Sequence, residues 1–449
     1  MVFSRDFLRE GEYIYFMNKI KAIGFDGWTM GVNHYIRLLD AFDNDNIDLS
    51  LIHLGSWGED KNRKKEENIN GLNVRDILFY KTLSFSEILD LEKPDVVIFL
   101  STQTFAHRAF QRYCHQKYIP TICLYHGLYS SFLIDGKSKY YQVNVIGLLI
   151  FIIKQSYKSL RYSFPVYAKS LWQTKADFSD WLRFVGDIIS RLRGETIFVP
   201  AIDSVPTKCC VYISADIQDP ISRFKLKKND VVVVGNPDLI ALNVKSHDIG
   251  IFLDVKSSEF VNVMYIDTGL ASAGLNFQSV KTYSKYLLDI GAQLRTQNRI
   301  LLFKIKPFPS DYKEYLSSVL LSNNIEVIDN NEFVVKLKTC CACITEPSTL
   351  GLIPCLLGLP LLLNRYGPLK SLMYGKIFTT YPRAQYLDDI CSFNDLLLKE
   401  KVLFDPDKVM AWINENSGPM PAEDMPKRVA QVVKNLITDN KRSFNKSIN

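Results

Sequence analysis

The chain has 449 residues, about three times the length of a typical domain, which predicts two domains or one large α/β unit. Its composition is 47% hydrophobic and 23% charged, with 22 Gly and 18 Pro, so it can bury a full core, and disordered, collagen-like and coiled-coil proteins are excluded. The formal net charge of +6 is too small to indicate an anionic partner unless the charge is locally concentrated.

Two features of the sequence predict a cytoplasmic protein. Residues 1–15 carry charged side chains where a signal peptide needs an apolar core, so we expect no export. The nine cysteines follow no regular framework spacing, and reduced thiols are the simplest interpretation.

The first part of the chain alternates apolar runs with amphipathic stretches. The predicted strands are IKAIGFD, IDLSLIHLG, PDVVIFLST and IPTICLYHG, and the predicted helices between them are VNHYIRLLDAFD, SFSEILDLEK and FAHRAFQRYCHQ. This alternation is typical of a parallel sheet covered on both faces. We therefore predict a Rossmann-like N-terminal domain over residues 1–200.

A second series of the same kind begins near residue 208. The predicted strands are KCCVYIS, DVVVVGNPD, FVNVMYIDTG, NRILLFKIKP, NIEVIDN, CCACITEPS and LPLLLNR, and the helices between them include QSVKTYSKYLLDIGAQL, SDYKEYLSSVLLS and STLGLIPCLLG. This series predicts a second Rossmann-like domain over residues 201–449, ending in helices that can cross back onto the first. Ligands of open parallel sheets bind at the carboxyl ends of strands, so chemistry is expected there.

Residues 136–176 contain seven Lys and Arg side chains and no Asp or Glu. The apolar run at 145–153 is too short to span a bilayer but suits an element that lies in the interface of an anionic membrane. A buried element with a solvated basic flank is the alternative. Nucleic acid is a weaker candidate, because no recognition motif accompanies the charge, and we expect no nucleic-acid partner.

Five motifs lie at predicted strand ends. They are Tyr125-His126-Gly127-Leu128, Val234-Gly235-Asn236-Pro237-Asp238, Tyr265-Ile266-Asp267-Thr268-Gly269-Leu270, Lys304-Ile305-Lys306-Pro307-Phe308-Pro309 and Thr345-Glu346-Pro347-Ser348-Thr349-Leu350-Gly351. Each also has a structural interpretation: His126 as a turn residue, Asp267 as the cap of a turn, and Ser348 with Thr349 as a helix N-cap.

In this order the five motifs resemble those of bacterial capsule and surface-polysaccharide glycosyltransferases with the GT-B fold, in which two Rossmann-like domains flank a cleft. The similarity leans toward capsular Kdo transferases and CMP-sialic-acid-type sialyltransferases, with CDP-glycerol glycerophosphotransferases as more distant relatives. The matching motifs extend from His126 to Pro360, and residues 24–39 add a weaker likeness to the Gly-rich opening of a donor cleft.

The resemblance implies that the nucleotide-sugar donor is bound by Lys304, Lys306, Glu346, Ser348 and Thr349. The two hydroxyl residues would hold a phosphate at a helix N-terminus, where backbone N–H groups and the helix dipole favour an anion. The glutamate would accept a hydrogen bond from a ribose hydroxyl or the base. Phe308 departs from the family pattern, which has histidine there, so a lysine has to supply the positive charge.

Asp267 is the first candidate for the catalytic carboxylate, as base for inversion or as nucleophile for retention, because it ends an apolar strand beside Gly269. His126 is the second candidate, as base or phosphate ligand. No metal or cofactor is expected. Asp43-Asn44-Asp45 has a DxD spacing but falls in a polar turn, and Cys340, Cys341 and Cys343 fit an apolar strand as core residues.

The expected function is that of a glycosyltransferase of capsule or lipopolysaccharide O-antigen synthesis, peripheral at the inner face of the cell membrane. It would move a sugar, with Kdo or a related ulosonic acid as the best candidate, from a CMP-activated donor to a glycan or lipid-linked acceptor. A CDP-polyol phosphotransferase of wall-polymer synthesis and a non-catalytic polysaccharide-assembly protein with the same fold are the alternatives.

Overall fold

The computed structural model describes residues 19–57, 63–82, 84–128, 159–192, 202–253, 259–271, 276–306 and 310–448. Its strands form two separate sheets, one of eight strands and one of six. Among the described residues, no helix combines the length and the apolar character that crossing a membrane requires.

The first sheet is parallel except for one strand at its edge. Its strands are β1 (Ile20–Asp26), β2 (Ile47–His53), β3 (Glu66–Ile69), β4 (Leu72–Asp76), β5 (Val96–Phe99), β6 (Thr121–Leu124), β7 (Lys208–Val211) and β8 (Val231–Val233). Their spatial order is β3-β4-β2-β1-β5-β6-β7-β8, and β3 pairs antiparallel with β4. Strands β5 and β6 are buried along their whole length, as expected for a parallel sheet covered on both faces.

The second sheet is parallel throughout. Its strands are β9 (Asn262–Ile266), β10 (Ile300–Lys304), β11 (Glu326–Ile328), β12 (Cys340–Thr345), β13 (Leu361–Asn364) and β14 (Ala384–Leu387). Their order is β11-β10-β9-β12-β13-β14, which is the doubly wound order of a Rossmann sheet. The direction of winding reverses between β9 and β12, and a crevice is expected at their carboxyl ends.

Helices connect the strands and cover the sheets. They are α1 (Val32–Ile36), α2 (Leu39–Asn44), α3 (Phe85–Glu92), α4 (Phe105–Gln116), α5 (Phe164–Gln173), α6 (Phe178–Leu192), α7 (Gln218–Phe224), α8 (Pro237–Ala241), α9 (Val280–Thr296), α10 (Ser310–Leu321), α11 (Phe333–Leu337), α12 (Leu352–Leu357), α13 (Lys376–Thr379), α14 (Phe393–Leu403), α15 (Pro406–Asn416) and α16 (Met425–Ile448).

The sequence grouped β7 and β8 with the second series, and this grouping is wrong. Strand β7 pairs with β6, where Cys123 lies opposite Cys209, and β8 pairs with β7. The change of sheet therefore comes after residue 233 rather than near residue 200. Strand and helix periodicity shows only that strands alternate with helices, and it does not say which sheet a strand joins.

The hairpin of β3 and β4 was missed, although its turn carries a recognised signal. Asn70 and Gly71 both have positive φ, 49° and 91°, as a two-residue hairpin turn requires, and Asn-Gly is the dipeptide that adopts this conformation most readily. The hydrophobic pattern does not predict these two strands, because their polar residues, such as Glu66 and Arg75, outnumber the apolar ones. Edge strands of this kind carry charges that discourage further pairing.

The long C-terminal helix α16 crosses back onto the first sheet. Near its start Arg428 donates to the carbonyl of Val234, 3.0 Å away, just after β8. Further along, Lys434 Nζ lies 2.7 Å from a carboxylate oxygen of Asp45, at the end of α2. Its apolar face belongs to the hydrophobic core that contains residues of both sheets, so α16 joins the two parts of the chain.

Replacing Met425 by Ala tests this connection. Met425 is fully buried at the start of α16, and truncating it removes apolar contacts and leaves a cavity. We expect a loss of about 2–5 kcal/mol in the free energy of unfolding, measured by denaturant titration. Gln431→Ala on the exposed face of the same helix is the control and should cost little. Equal stability of the two variants would contradict the packing role of α16.

Candidate functional site

Two carboxylates meet where the winding of the second sheet reverses. Strands β9 and β12 pair in register, with Ile266 opposite Thr345, and the next residue of each strand is acidic. These residues are Asp267 and Glu346, and both are buried. Ligands of doubly wound sheets bind in the crevice at this point, so the carboxyl edge here is the candidate functional site.

Glu346 is the more deeply buried of the two, with 0% of its surface exposed. One of its oxygens accepts from the hydroxyls of Tyr265 at 2.7 Å and Tyr283 at 2.9 Å. The other accepts from the backbone N–H of Thr268 at 3.1 Å and from its hydroxyl at 2.6 Å. Burial nevertheless raises the pKa of Glu346. This arrangement favours a positioning role over the contact with a ribose or base that the sequence predicts.

Asp267 is 2% exposed, and its two oxygens differ in their partners. Oδ1 accepts from the backbone N–H of Gly269 at 2.7 Å and lies 3.3 Å from the hydroxyl of Tyr283. The described donor to Oδ2 is the backbone N–H of Lys306, at the long distance of 3.5 Å. Burial, followed by the charge of Glu346, raises the pKa of Asp267 to about 7. The Asp267 carboxyl therefore changes its protonation state near neutral pH.

Tyr283 links the two carboxylates from helix α9. Its hydroxyl carries a single hydrogen, so it can donate to only one carboxylate at a time. It lies 2.9 Å from Glu346 and 3.3 Å from Asp267. If Asp267 keeps its proton, its O–H can donate to the Tyr283 hydroxyl while that hydroxyl donates to Glu346. This arrangement agrees with the raised pKa of Asp267.

Two lysines flank the carboxylates. Lys304 ends β10 and is almost fully buried, with Nζ donating to the carbonyl of Ile305 at 2.8 Å. Burial lowers the pKa of Lys304 to about 8, although Asp329 and Asp267 favour its charged form. Lys306 is exposed, and its Nζ donates to the carbonyl of Thr268 at 3.0 Å. Phe308, where the resemblance departs from its pattern, lies outside the described residues.

Ser348 and Thr349 follow Glu346 and are half-buried. The hydroxyl of Ser348 accepts from the backbone N–H of Leu350 at 3.2 Å, so Ser348 caps the short 3-10 turn Thr349–Gly351 that leads into α12. The N-cap interpretation is therefore correct for Ser348. It does not exclude a ligand, because the serine oxygen uses only one of its hydrogen-bonding positions in this contact.

His126 lies at the carboxyl edge of the first sheet, just after β6. Its Nδ1 is 3.0 Å from the carbonyl oxygen of Leu100. A carbonyl can only accept, so Nδ1 carries the hydrogen and Nε2 holds the lone pair of the neutral ring. The rings of Trp28 and His34 lie 5.5 and 6.0 Å from it. Burial, then the positive charge of Arg37, lowers the pKa of His34 to about 3.

Asp26, which ends β1, belongs to this edge but was not predicted as a site residue. Its Oδ1 accepts from the backbone N–H groups of Gly27 at 2.7 Å and Trp28 at 3.2 Å, and His107 Nε2 lies 3.7 Å away. Burial alone would raise the pKa of Asp26, but His107 and the two N–H groups outweigh burial and lower it. The rule that identified Asp267, a carboxylate that closes an apolar strand, applies equally to Asp26.

The sequence-predicted residues thus fall into two groups. Lys304, Lys306, Asp267, Glu346, Ser348 and Thr349 lie at the carboxyl ends of the adjacent strands β10, β9 and β12. His126 lies at the carboxyl edge of the other sheet. Tyr283 was missed because nothing in the pattern of α9 shows which tyrosine points toward the strand ends.

The residues considered for metal binding have other partners. Asp43 lies 3.4 Å from Lys19, and Asp45 pairs with Lys434. Cys340, Cys341 and Cys343 are buried in β12, as predicted for core residues. Within the described ranges, no cluster of three or more His, Cys, Asp or Glu residues is suited to hold a metal ion.

No family model and no curated protein matches this sequence. Solved structures do match. The calicheamicin glycosyltransferase CalG4 aligns with a TM-score of 0.51 and 11% identity, over 93% of this chain and 98% of that one. The wall teichoic acid polymerase TagF soaked with CDPG gives 0.48 and 12%, over 94% and 89%. The UDP-GlcNAc 2-epimerase from Neisseria meningitidis bound to UDP-GlcNAc gives 0.44 and 12%, over 93% and 100%.

At this level of identity the likeness to CalG4 shows the fold alone. Together with the two parallel sheets, it confirms the predicted fold class, an α/β protein with two Rossmann-like units of the GT-B type. The likeness carries no information about substrate, because one fold serves many activities.

The raised pKa of Asp267 predicts a specific pH dependence of stability. Between its ordinary value of 3.8 and about 7, the folded protein keeps a proton that the unfolded chain has released. Raising the pH through this window therefore lowers stability. Asp267→Asn removes the ionisable group, so the fall in Tm between about pH 5 and about pH 8 should be smaller than in the wild type.

Asp388→Asn is the matched control, because Asp388 follows the edge strand β14 and is exposed. Its Tm profile should run parallel to that of the wild type. A parallel profile for Asp267→Asn as well would show that Asp267 is not the group that retains the proton.

Proposed function

We propose that this protein is a glycosyltransferase of capsule or lipopolysaccharide O-antigen synthesis. It moves Kdo or a related ulosonic acid from a CMP-activated donor to a glycan or lipid-linked acceptor. The observation that carries the proposal is the pair of buried carboxyls, Asp267 and Glu346, in the strand-end crevice of a Rossmann sheet. Burial raises the pKa of Asp267 to about 7, which supports it. The order of the strand-end motifs, which resembles capsular Kdo transferases, supports the choice of donor.

The donor would bind at the carboxyl edge of the second sheet. Lys306 is exposed there and supplies a positive charge, while Ser348 and Thr349 offer hydroxyls. Charged and hydroxyl donors of this kind neutralise a phosphate without a metal ion. We therefore propose a metal-independent transfer, with these three residues as the phosphate ligands.

Asp267 is the proposed catalytic carboxylate. A group whose pKa lies near the working pH is both a competent base and a competent acid, and Asp267 meets this condition. Its Oδ2 is the oxygen available for chemistry, because its described donor lies 3.5 Å away whereas Oδ1 is held by Gly269. As a base Oδ2 would take the acceptor proton in an inverting transfer, and as a nucleophile it would form a glycosyl ester in a retaining one.

The buried partners of Asp267 would hold it in position. Glu346 places a negative charge beside it and raises its pKa, and Glu346 is itself held by Tyr265, Tyr283 and Thr268. Lys304, buried at the end of β10, adds a positive charge near the same carboxyl. We assign Glu346 and Lys304 positioning roles in the donor site.

His126 would serve the acceptor from the first sheet. The Leu100 carbonyl fixes the tautomer in which Nε2 holds the lone pair, which is the form that a general base requires. The ring is half-buried and so remains reachable from solvent. His126 is the second choice for the base if Asp267 acts as the nucleophile.

The protein would work at the inner face of the cell membrane, where lipid-linked acceptors are found. The membrane-surface prediction for residues 136–176 falls mainly outside the described residues, including the apolar run at 145–153. Its described part contains α5, which buries Val166, Tyr167 and Leu171. The inward side of α5 therefore packs inside the protein.

Nucleotide binding is the first test, by thermal shift with CMP, CDP, UDP and GDP. The proposal predicts that CMP binds most tightly and therefore gives the largest rise in Tm. A ligand at a hundredfold excess over its Kd stabilises the folded protein by about 2.7 kcal/mol. Ser348→Ala with Thr349→Ala should weaken binding by about 1.5–3 kcal/mol for each hydrogen bond lost to a charged group. Ser317→Ala with Ser318→Ala, a pair of hydroxyls on α10, is the control.

Each variant is compared with its own unliganded Tm, because removing the Ser348 cap also costs stability. Unchanged CMP affinity in the folded double variant would remove Ser348 and Thr349 from the donor site. A preference for UDP would overturn the choice of donor. Turnover of CDP-glycerol without sugar transfer would favour the polyol phosphotransferase alternative.

Turnover tests the catalytic assignment. Asp267→Asn keeps the shape of the side chain and removes its charge, so we expect CMP binding to persist while transfer falls by about 10²–10⁴-fold. His126→Ala should lower transfer without weakening CMP binding. Asp388→Asn and His247→Ala, both at exposed sites, are the controls. Near-normal transfer by Asp267→Asn would move the role to His126 or another acid.

A further inference from the structure

The hydroxyl of Tyr283 stands between the two buried carboxyls of the second sheet. It lies 2.9 Å from Oε1 of Glu346 and 3.3 Å from Oδ1 of Asp267. The Tyr283 side chain is fully buried, and the rings of Phe277 and Phe303 lie 4.7 and 6.4 Å from its ring. Packing of this kind fixes the ring, so the hydroxyl keeps its place between the carboxyls.

The proposed transfer needs a base, and a neutral Asp267 is not a base by itself. Its pKa of about 7 means that Asp267 holds a proton in most molecules below neutral pH. Such a carboxyl can take a second proton only if it gives up the first in the same step. The two oxygens of Asp267 are suited to this exchange, because Oδ1 faces Tyr283 and Oδ2 is the oxygen left for the acceptor.

We propose that Tyr283 relays a proton from Asp267 to Glu346, so that Glu346 receives the charge of the acceptor proton. This inference rests on the proposed function, in its inverting form. Oδ2 of Asp267 takes the proton of the acceptor hydroxyl, Oδ1 passes its own proton to the oxygen of Tyr283, and Tyr283 passes its hydrogen to Oε1 of Glu346. The acceptor oxygen bonds to the sugar while the bond from the sugar to the CMP phosphate breaks, and that electron pair leaves with the phosphate.

The hydrogen bonds of the site fit both ends of this step. Before it, Asp267 donates to Tyr283 and Tyr283 donates to Glu346; after it, each bond runs in the opposite direction between the same atoms. Burial raises the pKa of Glu346, so this carboxyl is able to hold the proton. Burial also raises the pKa of Tyr283 well above its ordinary value, so a free phenolate is not a resting point and the protons move together.

The other groups that face Asp267 have no place in this chain of hydrogen bonds. Burial raises the pKa of Tyr265 on β9 and of Tyr312 on α10 far above neutrality, so neither changes charge between pH 6 and pH 8. Lys306 reaches Asp267 through its backbone N–H. Lys304 has a pKa of about 8 and does titrate in this range. Because Lys304 is present in every variant, its titration cancels when variants are compared at one pH.

The pH dependence of kcat tests the relay. Tyr283→Phe keeps the ring and removes the hydroxyl, so only the ionised form of Asp267 can then act as the base. With a pKa of about 7, that form is about a tenth of the molecules at pH 6 and most of them at pH 8. We expect kcat about tenfold below the wild type at pH 6 and within about twofold of it at pH 8, with the donor KM unchanged.

Two controls separate the relay from a structural effect. Tyr286→Phe removes another buried hydroxyl from α9, one that contacts Asn364 rather than either carboxyl. Tyr265→Phe removes the second tyrosine donor of Glu346. In both variants the ratio of kcat to that of the wild type should be the same at pH 6 and pH 8. A pH-independent ratio for Tyr283→Phe, or an equal fall at pH 6 in Tyr265→Phe, would overturn the relay.

A measurement on the wild type needs no variant to fold. Three protons move together at pH 6 and one moves at pH 8, so a plot of rate against the D2O fraction of the solvent should curve at pH 6 and be straight at pH 8. A straight plot at both would contradict the relay.

Infrared spectroscopy distinguishes a failure of the relay from a failure of the proposed function. A wild type that transfers no sugar would show that the proposed function is wrong. The C=O band of protonated Asp267, identified by its loss in Asp267→Asn, should still shift in Tyr283→Phe, because the carboxyl O–H loses its acceptor. A shifted band would support the chain from Asp267 through Tyr283, and a band that stays in place would overturn it. Tyr286→Phe is the control and should leave the band unchanged.

Discussion

The second sheet is organised around the buried carboxylate of Glu346. A buried charge is costly unless donors surround it, and four hydrogen bonds reach this one from three places: strand β9, the turn after β9 and helix α9. Meeting that requirement fixes the end of β12 against the end of β9 and fixes the rotation of α9. Asn364 at the end of β13 extends the same network through the hydroxyl of Tyr265, 3.1 Å from its Nδ2. These hydrogen bonds therefore set the geometry of the crevice at the ends of β9 and β12.

The same constraint sets the protonation of the neighbouring groups. Burial, and then the charge of Glu346 beside it, raises the pKa of Asp267 to about 7. Burial moves Lys304 in the opposite direction, to a pKa of about 8. An acid and an amine that both titrate near neutrality at one strand edge are unusual for a purely structural network and are typical of sites that move protons. This reasoning links the packing of the sheet to the chemistry proposed for it.

Much of this edge could be predicted, because a parallel sheet brings its strand ends together by construction. The strand-end rule located the motifs that contain Asp267, Lys304, Lys306 and Glu346, and these residues lie at adjacent strand ends in the structure. The roles of the two lysines and of Glu346 came from the resemblance. What the sequence could not supply was orientation. It does not show that Tyr283 points at both carboxylates, and so it could not foresee that Glu346 would be enclosed. The sequence also did not show which sheet each strand joins. Strand β7 pairs with β6, although residues 125–207, whose described part includes α5 and α6, separate the two strands in the chain.

An acidic residue lies at the end of a central strand in each sheet, and the two surroundings shift its pKa in opposite directions. Asp26 ends the central strand β1 of the first sheet, as Asp267 follows the central strand β9 of the second. Both are buried, yet the pKa of Asp26 is lowered and that of Asp267 is raised, because His107 faces the first and Glu346 faces the second. Environments that push the pKa values of similar groups apart assign them different roles. On that argument Asp26 remains an anion that accepts hydrogen bonds from the backbone N–H groups of its turn, and Asp267 is the carboxyl able to exchange a proton.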